Sequence, residues 1–521
     1  MYIVDLNRIN IIMSNIQLTE SDKSKLFWAS FLSLAAAGFG FVFRVLHLGS
    51  WKEDFGFTGQ QLGELFGASL WPIAITMVIF SLIVDKTGYK WPMIIGASLL
   101  QILSVIITFT GKDYTTLYIG GLLAGLAHGV VEAVINPICA SSYREQKSKM
   151  LNILHAAWPA GLVFGGAAIL LTPGFSWQIH ALYMAVPAVI HGILFFSCNN
   201  YPEDERVVAK VSYKSMLAEF GGLGVMLVAF FFYYEIARLL GQGGTALISG
   251  AAICAIIFGV GFGLWVKSAG KIMIFIVSLL MIPLATAELG TDAWIKELLT
   301  PSLGAANAGW AIVVSAFVMM VLRFRAGDFL KIFTPPALLV FSGIFSATGL
   351  MLLSNPSVGG WAVWICFVVY AIGQTFYWPT VLGFISEQFP KGGAMTLNSV
   401  SAIGLISVGI LGGPFLGMVQ DSKVANTVAK QAPAIYEQVK SKGDFFGYKN
   451  PKVDQAKTVE LAEAAGQGAQ VKEAVDNSRR GALFTAAFLP LALAFGYFII
   501  ALYYRSKGGY KPVDILADSG H

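Results

Sequence analysis

Apolar positions fall in long unbroken runs rather than at helical or alternating spacing. Runs of roughly 20 residues occur near 27–48, 61–84, 91–110, 117–140, 151–172 and 178–197. After a charged stretch, Cys198 to Glu219, they resume near 221–240, 245–266, 272–295, 305–322, 335–353, 360–385, 394–419 and 481–504. A run of about 20 apolar residues is long enough to cross a bilayer as a helix. The pattern therefore predicts an all-α polytopic membrane protein of about 14 spans. The short turn Gly241-Gln242-Gly243-Gly244 joins two of the runs and predicts a helical hairpin over 221–266.

Basic residues in short loops set orientation. With the N-terminus inside, the short outside loops hold only Lys52, Lys112 and Lys296. The inside segments hold Lys86, Lys90, Arg144, Lys147, Arg206, Lys267, Arg323 and others. Both termini are expected in the cytoplasm of a cell (inner or plasma) membrane. The expected division is a tail over 1–26, a six-helix half over 27–197 and a linker over 198–220. The extra hairpin over 221–266 follows, then a second six-helix half over 267–504 and a tail over 505–521. Residues 420–480 form a long outside loop of balanced charge, with helix-like stretches such as Thr458 to Ala465.

Composition agrees with this reading. Of 521 residues, 56% are apolar and 12% charged, where a soluble protein carries about 25% charged. The net charge of +5 lies in short loops and is no nucleic-acid footprint. Cys139, Cys198, Cys254 and Cys366 show neither metal-ligand spacing nor a disulfide framework. Residues 1–26 lack the basic start and apolar core of a signal peptide. No nucleotide-binding loop, nucleophile motif or metal cluster appears, so no cofactor and no enzyme activity are expected.

The informative positions are polar residues inside apolar runs. Glu132 lies mid-run, with Asn136 four residues on, His128 four before, and Pro137 inviting a bend. An ionisable group at that depth is by default a functional site. The second half echoes it: Gln374 to Pro379 repeats the amide-or-carboxyl-then-proline spacing of Glu132 to Pro137, and Leu397-Asn398 repeats Leu151-Asn152. Repeated halves are a usual build of secondary transporters.

The loop Ser81-Leu-Ile-Val-Asp85-Lys86-Thr87-Gly88-Tyr89-Lys90 resembles the signature loop of the major facilitator superfamily. Asp85, Lys86, Gly88 and Lys90 match; Ser81 stands where glycine is preferred. A degenerate counterpart runs from Arg323 to Asp328. Glu132-x3-Asn136-Pro137, Leu151-Asn152-x2-His155 and Glu288-x-Gly290-x3-Trp294 resemble the fucose/glucose-permease branch. The resemblance implies two six-helix halves around a central cavity, with alternating access. Within that frame Asn136, Asn152, His155, Gln374 and Trp378 are expected as solute ligands, Glu132 and Glu288 as ion-coupling groups, and the signature loop as a conformational element. One departure stands out: the first span carries Arg44 and His47 and no acid. Arg44 is expected either to pair with Glu132, to bind an anionic solute, or to pair with Glu64.

These readings lead to a secondary transporter of a small polar solute, most simply a sugar, driven by protons or sodium. It is expected to act as a monomer in the lipid bilayer, with no nucleic-acid partner. The alternatives are an organic-anion or sugar-phosphate exchanger using Arg44, and a non-transporting membrane sensor.

Overall fold

A computed structural model describes residues 18–57, 59–293, 299–300, 303–355 and 357–516, with the side chains of 59, 60, 85, 305, 306 and 479 outside the described set. Among the described residues, 14 helices are long and apolar enough to cross a bilayer. The first six are α1 (Glu20–Phe55), α2 (Gln61–Val84), α3 (Pro92–Phe109), α4 (Tyr114–Ser142), α5 (Arg144–Leu170) and α6 (Trp177–Ser197). The inserted pair is α7 (Tyr213–Leu239) and α8 (Gly244–Val266). The last six are α9 (Ile272–Ala293), α10 (Asn307–Phe324), α11 (Pro335–Ser354), α12 (Trp361–Gln388), α13 (Pro390–Gln431) and α14 (Gly468–Ser506).

Local sequence explains where these helices start and bend. Thr19 caps α1 and Asp113 caps α4, each with a reciprocal side-chain bond from the third helical residue. Three helices contain a π-turn, at Pro92–Leu99, Thr286–Gly290 and Val408–Gly412. Such turns re-aim the side chains that follow. α7 begins at Tyr213, ahead of the expected 221, and kinks at Gly221, where φ is +60°. A side chain there would collide with Gly270, so the kink needs glycine.

The two halves meet along two matched seams. α2 and α4 pack on α13, and α5 packs on α10 and on the end of α12. α2 and α10 hold the same place in their halves, as do α5 and α13, so the seams are related by the internal repeat. Small residues permit the closest approaches, as lipid-embedded helix packing requires: Gly166 faces Val313, and Gly309 faces Leu46 and Leu170. The hairpin lies outside this core. α8 packs mainly on α7, and α7 leans on α13.

Residues 420–480 differ from the expected loop. α13 and α14 run on beyond the apolar zone and frame a small folded cap. It contains helices Pro433–Val439 and Gln455–Ala464 and a hairpin of β1 (Lys440–Phe445) with β2 (Tyr448–Val453). The hairpin was not foreseen because its strands lack apolar alternation. The turn signal lies instead in Phe446 and Gly447, both at positive φ. Val424, Val428, Ile435, Val453, Ala462 and Val471 give the cap its own apolar core. Phe446 stacks on Tyr234 of α7 at 4.9 Å, tying the cap to the hairpin.

Candidate transport site

The buried polar residues converge where the halves meet. α4 presents Glu132 and Asn136 on one face, four residues apart. Asn136 Nδ2 donates to Glu132 Oε2 at 2.9 Å, and His128 Nε2 lies 3.6 Å from Glu132 Oε1. His155 of α5 approaches through Nε2, 2.9 Å from Asn136 Oδ1. Trp158 stacks on His128 at 5.3 Å and fixes its ring.

The network then crosses to the second half. Arg323 Nη1 donates to the His155 carbonyl at 2.9 Å. Its Nε donates to the Thr375 carbonyl at 2.6 Å, and its Nη2 to Glu288 Oε1 at 3.0 Å. One guanidinium therefore holds α5, α9 and α12 together. Beside it, Gln374 Nε2 donates to Ser315 Oγ at 2.9 Å and to Asp292 Oδ1 at 3.3 Å. Glu132, Asn136, His155, Glu288, Arg323 and Gln374 are all buried. Glu288 Oε2 and Gln374 Oε1 have no hydrogen-bond partner.

Of the sequence-selected residues, Glu132, Asn136, His155, Glu288 and Gln374 share this network. Three others lie apart from it. Arg44 donates to the Gly40 carbonyl at 2.6 Å, beside Met184 of α6. It forms an ion pair with neither Glu132 nor Glu64; Glu64 instead accepts from Tyr114 Oη at 2.7 Å. Asn152 bonds Ser148 O at 2.9 Å and Thr380 Oγ1 at 3.3 Å, so it joins α5 to α12. Its repeat partner Asn398 joins α13 to Ser81 and to the Ala133 carbonyl, both at 2.9 Å. These two asparagines are seam contacts related by the repeat. Trp378 packs its indole on Gly404 of α13.

Arg323 was missed as a site residue. It ends an apolar run next to Arg325 and reads as a loop cation. Two residues apart on a helix, however, the two side chains point in different directions. Arg325 is exposed and pairs with Asp328 at 2.5 Å, whereas Arg323 is buried.

The signature loop lies at the face carrying the chain ends. Gly88 caps α2 at φ +70°, its N–H bonding the Val84 carbonyl at 2.9 Å. Lys90 donates to the Cys198 carbonyl at 3.0 Å, and Lys86 lies over the Tyr213 ring at 5.0 Å. The Asp85 side chain is outside the described residues. On the same face Ser148 N donates to Glu387 Oε1 at 3.0 Å across the halves. Lys147 is held there by Glu205 and by the Ser386 carbonyl.

Comparison with known proteins agrees with this architecture. The family profile described as the Major Facilitator Superfamily matches residues 26–418. Among solved structures, a variant of the E. coli fucose:proton symporter FucP matches with TM-score 0.55 at 12% identity, covering 92% of this chain and 98% of that one. The proton:xylose symporter XylE bound to 6-bromo-6-deoxy-D-glucose matches with TM-score 0.61 at 12% identity, covering 92% and 95%. The human organic anion transporter MFSD10 (TETRAN) matches with TM-score 0.55 at 11% identity, covering 91% and 99%. At such identities the likeness is one of fold. No curated protein sequence matches the chain. With the family profile spanning both halves and the hairpin between them, the chain belongs to the Major Facilitator Superfamily of membrane transporters.

Proposed function

We propose that the protein is a secondary active transporter of a small polar solute of the sugar class, driven by protons through Glu132. The observation that carries this reading is the chain Glu132–Asn136–His155–Arg323, which starts at a buried carboxylate in one half and ends on Glu288 in the other. A proton gained or lost at Glu132 changes what Asn136 and His155 can accept or donate. The change is felt at the contact between the halves, which is what coupling requires. Two histidines beside Glu132 suit a proton better than sodium, a hard cation that prefers oxygen ligands. Asn136, His155 and Gln374 offer amide and imidazole groups that match hydroxyl-rich solutes.

Charge balance argues against the anion-exchange alternative. Glu132, Glu288 and Asp292 face one arginine, Arg323, and Arg44 lies apart from them. A site with surplus carboxylates repels an anion and favours a neutral solute taken up with protons. The fold neighbours include two sugar–proton symporters, in keeping with this class. For alternating access the seam contacts at Asn152, Asn398 and Ser148 must break in turn with the α5–α10 contact. The reading places a monomer in the cell membrane with both ends cytoplasmic.

The test is uptake of radiolabelled sugars and organic anions by proteoliposomes, with and without an imposed pH gradient. Glu132→Gln keeps shape and hydrogen bonding but cannot titrate. It should abolish gradient-driven accumulation while sparing exchange of solute across the membrane. Accumulation at the wild-type level in Glu132→Gln would remove this residue from the mechanism, and sodium-driven uptake indifferent to pH would overturn proton coupling.

A further inference from the structure

The carboxylates of the second half make up a site of their own. Glu288 lies in the π-turn of α9 and Asp292 follows four residues later, so both are carried on one stretch of helix facing α10 and α12. Glu288 Oε1 is bonded by Arg323, and Asp292 Oδ1 by Gln374. Glu288 Oε2 and Gln374 Oε1 are buried acceptors with no donor. The cluster is therefore short of hydrogen-bond donors. It is also short of positive charge, since the buried Glu288 and the half-buried Asp292 face one guanidinium, and a surplus charge largely away from water is costly.

The remaining titratable neighbours do not correct either shortage. Tyr370 of α12 spends its hydroxyl on the Ala287 carbonyl at 2.8 Å. The hydroxyls of Tyr377, also on α12, and of Thr291 are buried without a partner, so neither is bonded to a carboxylate. Glu132, on the other side of Arg323, adds negative charge. Among the described residues, no second lysine or arginine pairs with Glu288 or Asp292.

We infer that Glu288 and Asp292 hold one shared proton, giving the second half a proton-binding site separate from Glu132. A proton supplies both missing quantities. It turns one carboxylate into a hydroxyl donor for an unpartnered acceptor, and it brings the pair into balance with Arg323. A metal cation would supply the charge without the donor, and would have to bind next to a guanidinium 3.0 Å from Glu288. The pair titrates as a unit, and its proton belongs to neither residue alone. The inference deepens the proton-driven reading, but the site itself stands on its own geometry.

Proton uptake can be counted without knowing the solute. Purified full-length protein in lipid nanodiscs is stepped from alkaline to acidic pH, and the protons bound are measured with an indicator dye. Asp292→Asn and Glu288→Gln should each take up one proton fewer than wild type. Asp292→Asn combined with Glu132→Gln should take up two fewer. Infrared difference spectra of Glu132→Gln, which retains both acids, should still show a titrating protonated-carboxyl stretch, so a poorly folded Asp292→Asn leaves the inference testable. Uptake equal to wild type in both Asp292→Asn and Glu288→Gln would overturn it. So would loss of the carboxyl stretch in Glu132→Gln, or radiosodium binding by wild type that Asp292→Asn removes. Normal uptake in Glu132→Gln with reduced uptake in Asp292→Asn would retain this site and reject Glu132 instead.

Discussion

Arg323 is the residue on which the site turns. Its three bonded nitrogens reach two backbone carbonyls and one carboxylate, on elements from both halves. Removing one member of a buried ion pair leaves a charge without compensation, at a cost of about 3–5 kcal/mol. Arg323→Met should therefore lower the thermal midpoint of the purified protein sharply. Adding Glu288→Gln should restore most of the loss, because the stranded carboxylate is then neutral. A double variant as unstable as Arg323→Met would show that the two carbonyl bonds, not the ion pair, carry the stabilisation. Glu132 and Asn136 were legible because a carboxylate and an amide stand out four residues apart in an apolar run. Arg323 was not, because a run that ends in a cation looks the same whether the side chain turns inward or toward water.

At the scale of elements, glycine decides how closely helices approach. A Cβ on Gly161 of α5 would lie 2.1 Å from the Ala35 carbonyl oxygen and 2.8 Å from the Phe39 nitrogen of α1. Gly38 of α1 makes the reciprocal approach, 2.4 Å from the Trp158 carbonyl oxygen. Backbone offers little room to yield, so Gly161→Ala should destabilise by roughly 1–3 kcal/mol. Gly49→Ala is the matched control, since a Cβ there meets nothing within 4 Å. Equal thermal midpoints for the two variants would refute this packing account. Because α1–α5 packing also sets the position of His155 and Trp158, loss of transport should accompany loss of stability in Gly161→Ala. The elements themselves were legible from hydropathy. The cap hairpin was not, because its strands, such as Lys440–Phe445, are polar and only the pairing partner defines them.

For the whole molecule, the face carrying the chain ends is built from contacts between halves and from the terminal tail. Glu387 accepts from Ser148 N through one oxygen and from Tyr510 Oη, at 2.7 Å, through the other. Asn152 and Asn398 add matched contacts nearby. If this face is cytoplasmic, single cysteines at the exposed positions 210 and 507 should resist an impermeant thiol reagent in intact cells. Cysteines at position 112 and in the cap should react. Labelling at 210 from outside would invert the orientation. The basic residues that suggested the orientation are not all loop charges: Lys147, Arg206 and Arg323 are buried. The asymmetry survives their removal, because the short outside loops hold only Lys52, Lys112 and Lys296.

By itself the sequence determined the membrane fold, its fourteen spans and its repeated halves. Run length and hydropathy are local properties, and lipid leaves a helix no alternative for its backbone. It also singled out Glu132, because a buried carboxylate is conspicuous wherever its neighbours lie. Which polar residues meet was decided only by tertiary structure. Asn152, expected as a solute ligand, bonds Thr380 across the halves, and Arg44 donates to its own helix. Arg323, read as a loop cation, joins the halves. The direction a side chain takes at a helix end, and the partner it finds on another helix, depend on how helices distant in sequence are packed, and no local pattern records that.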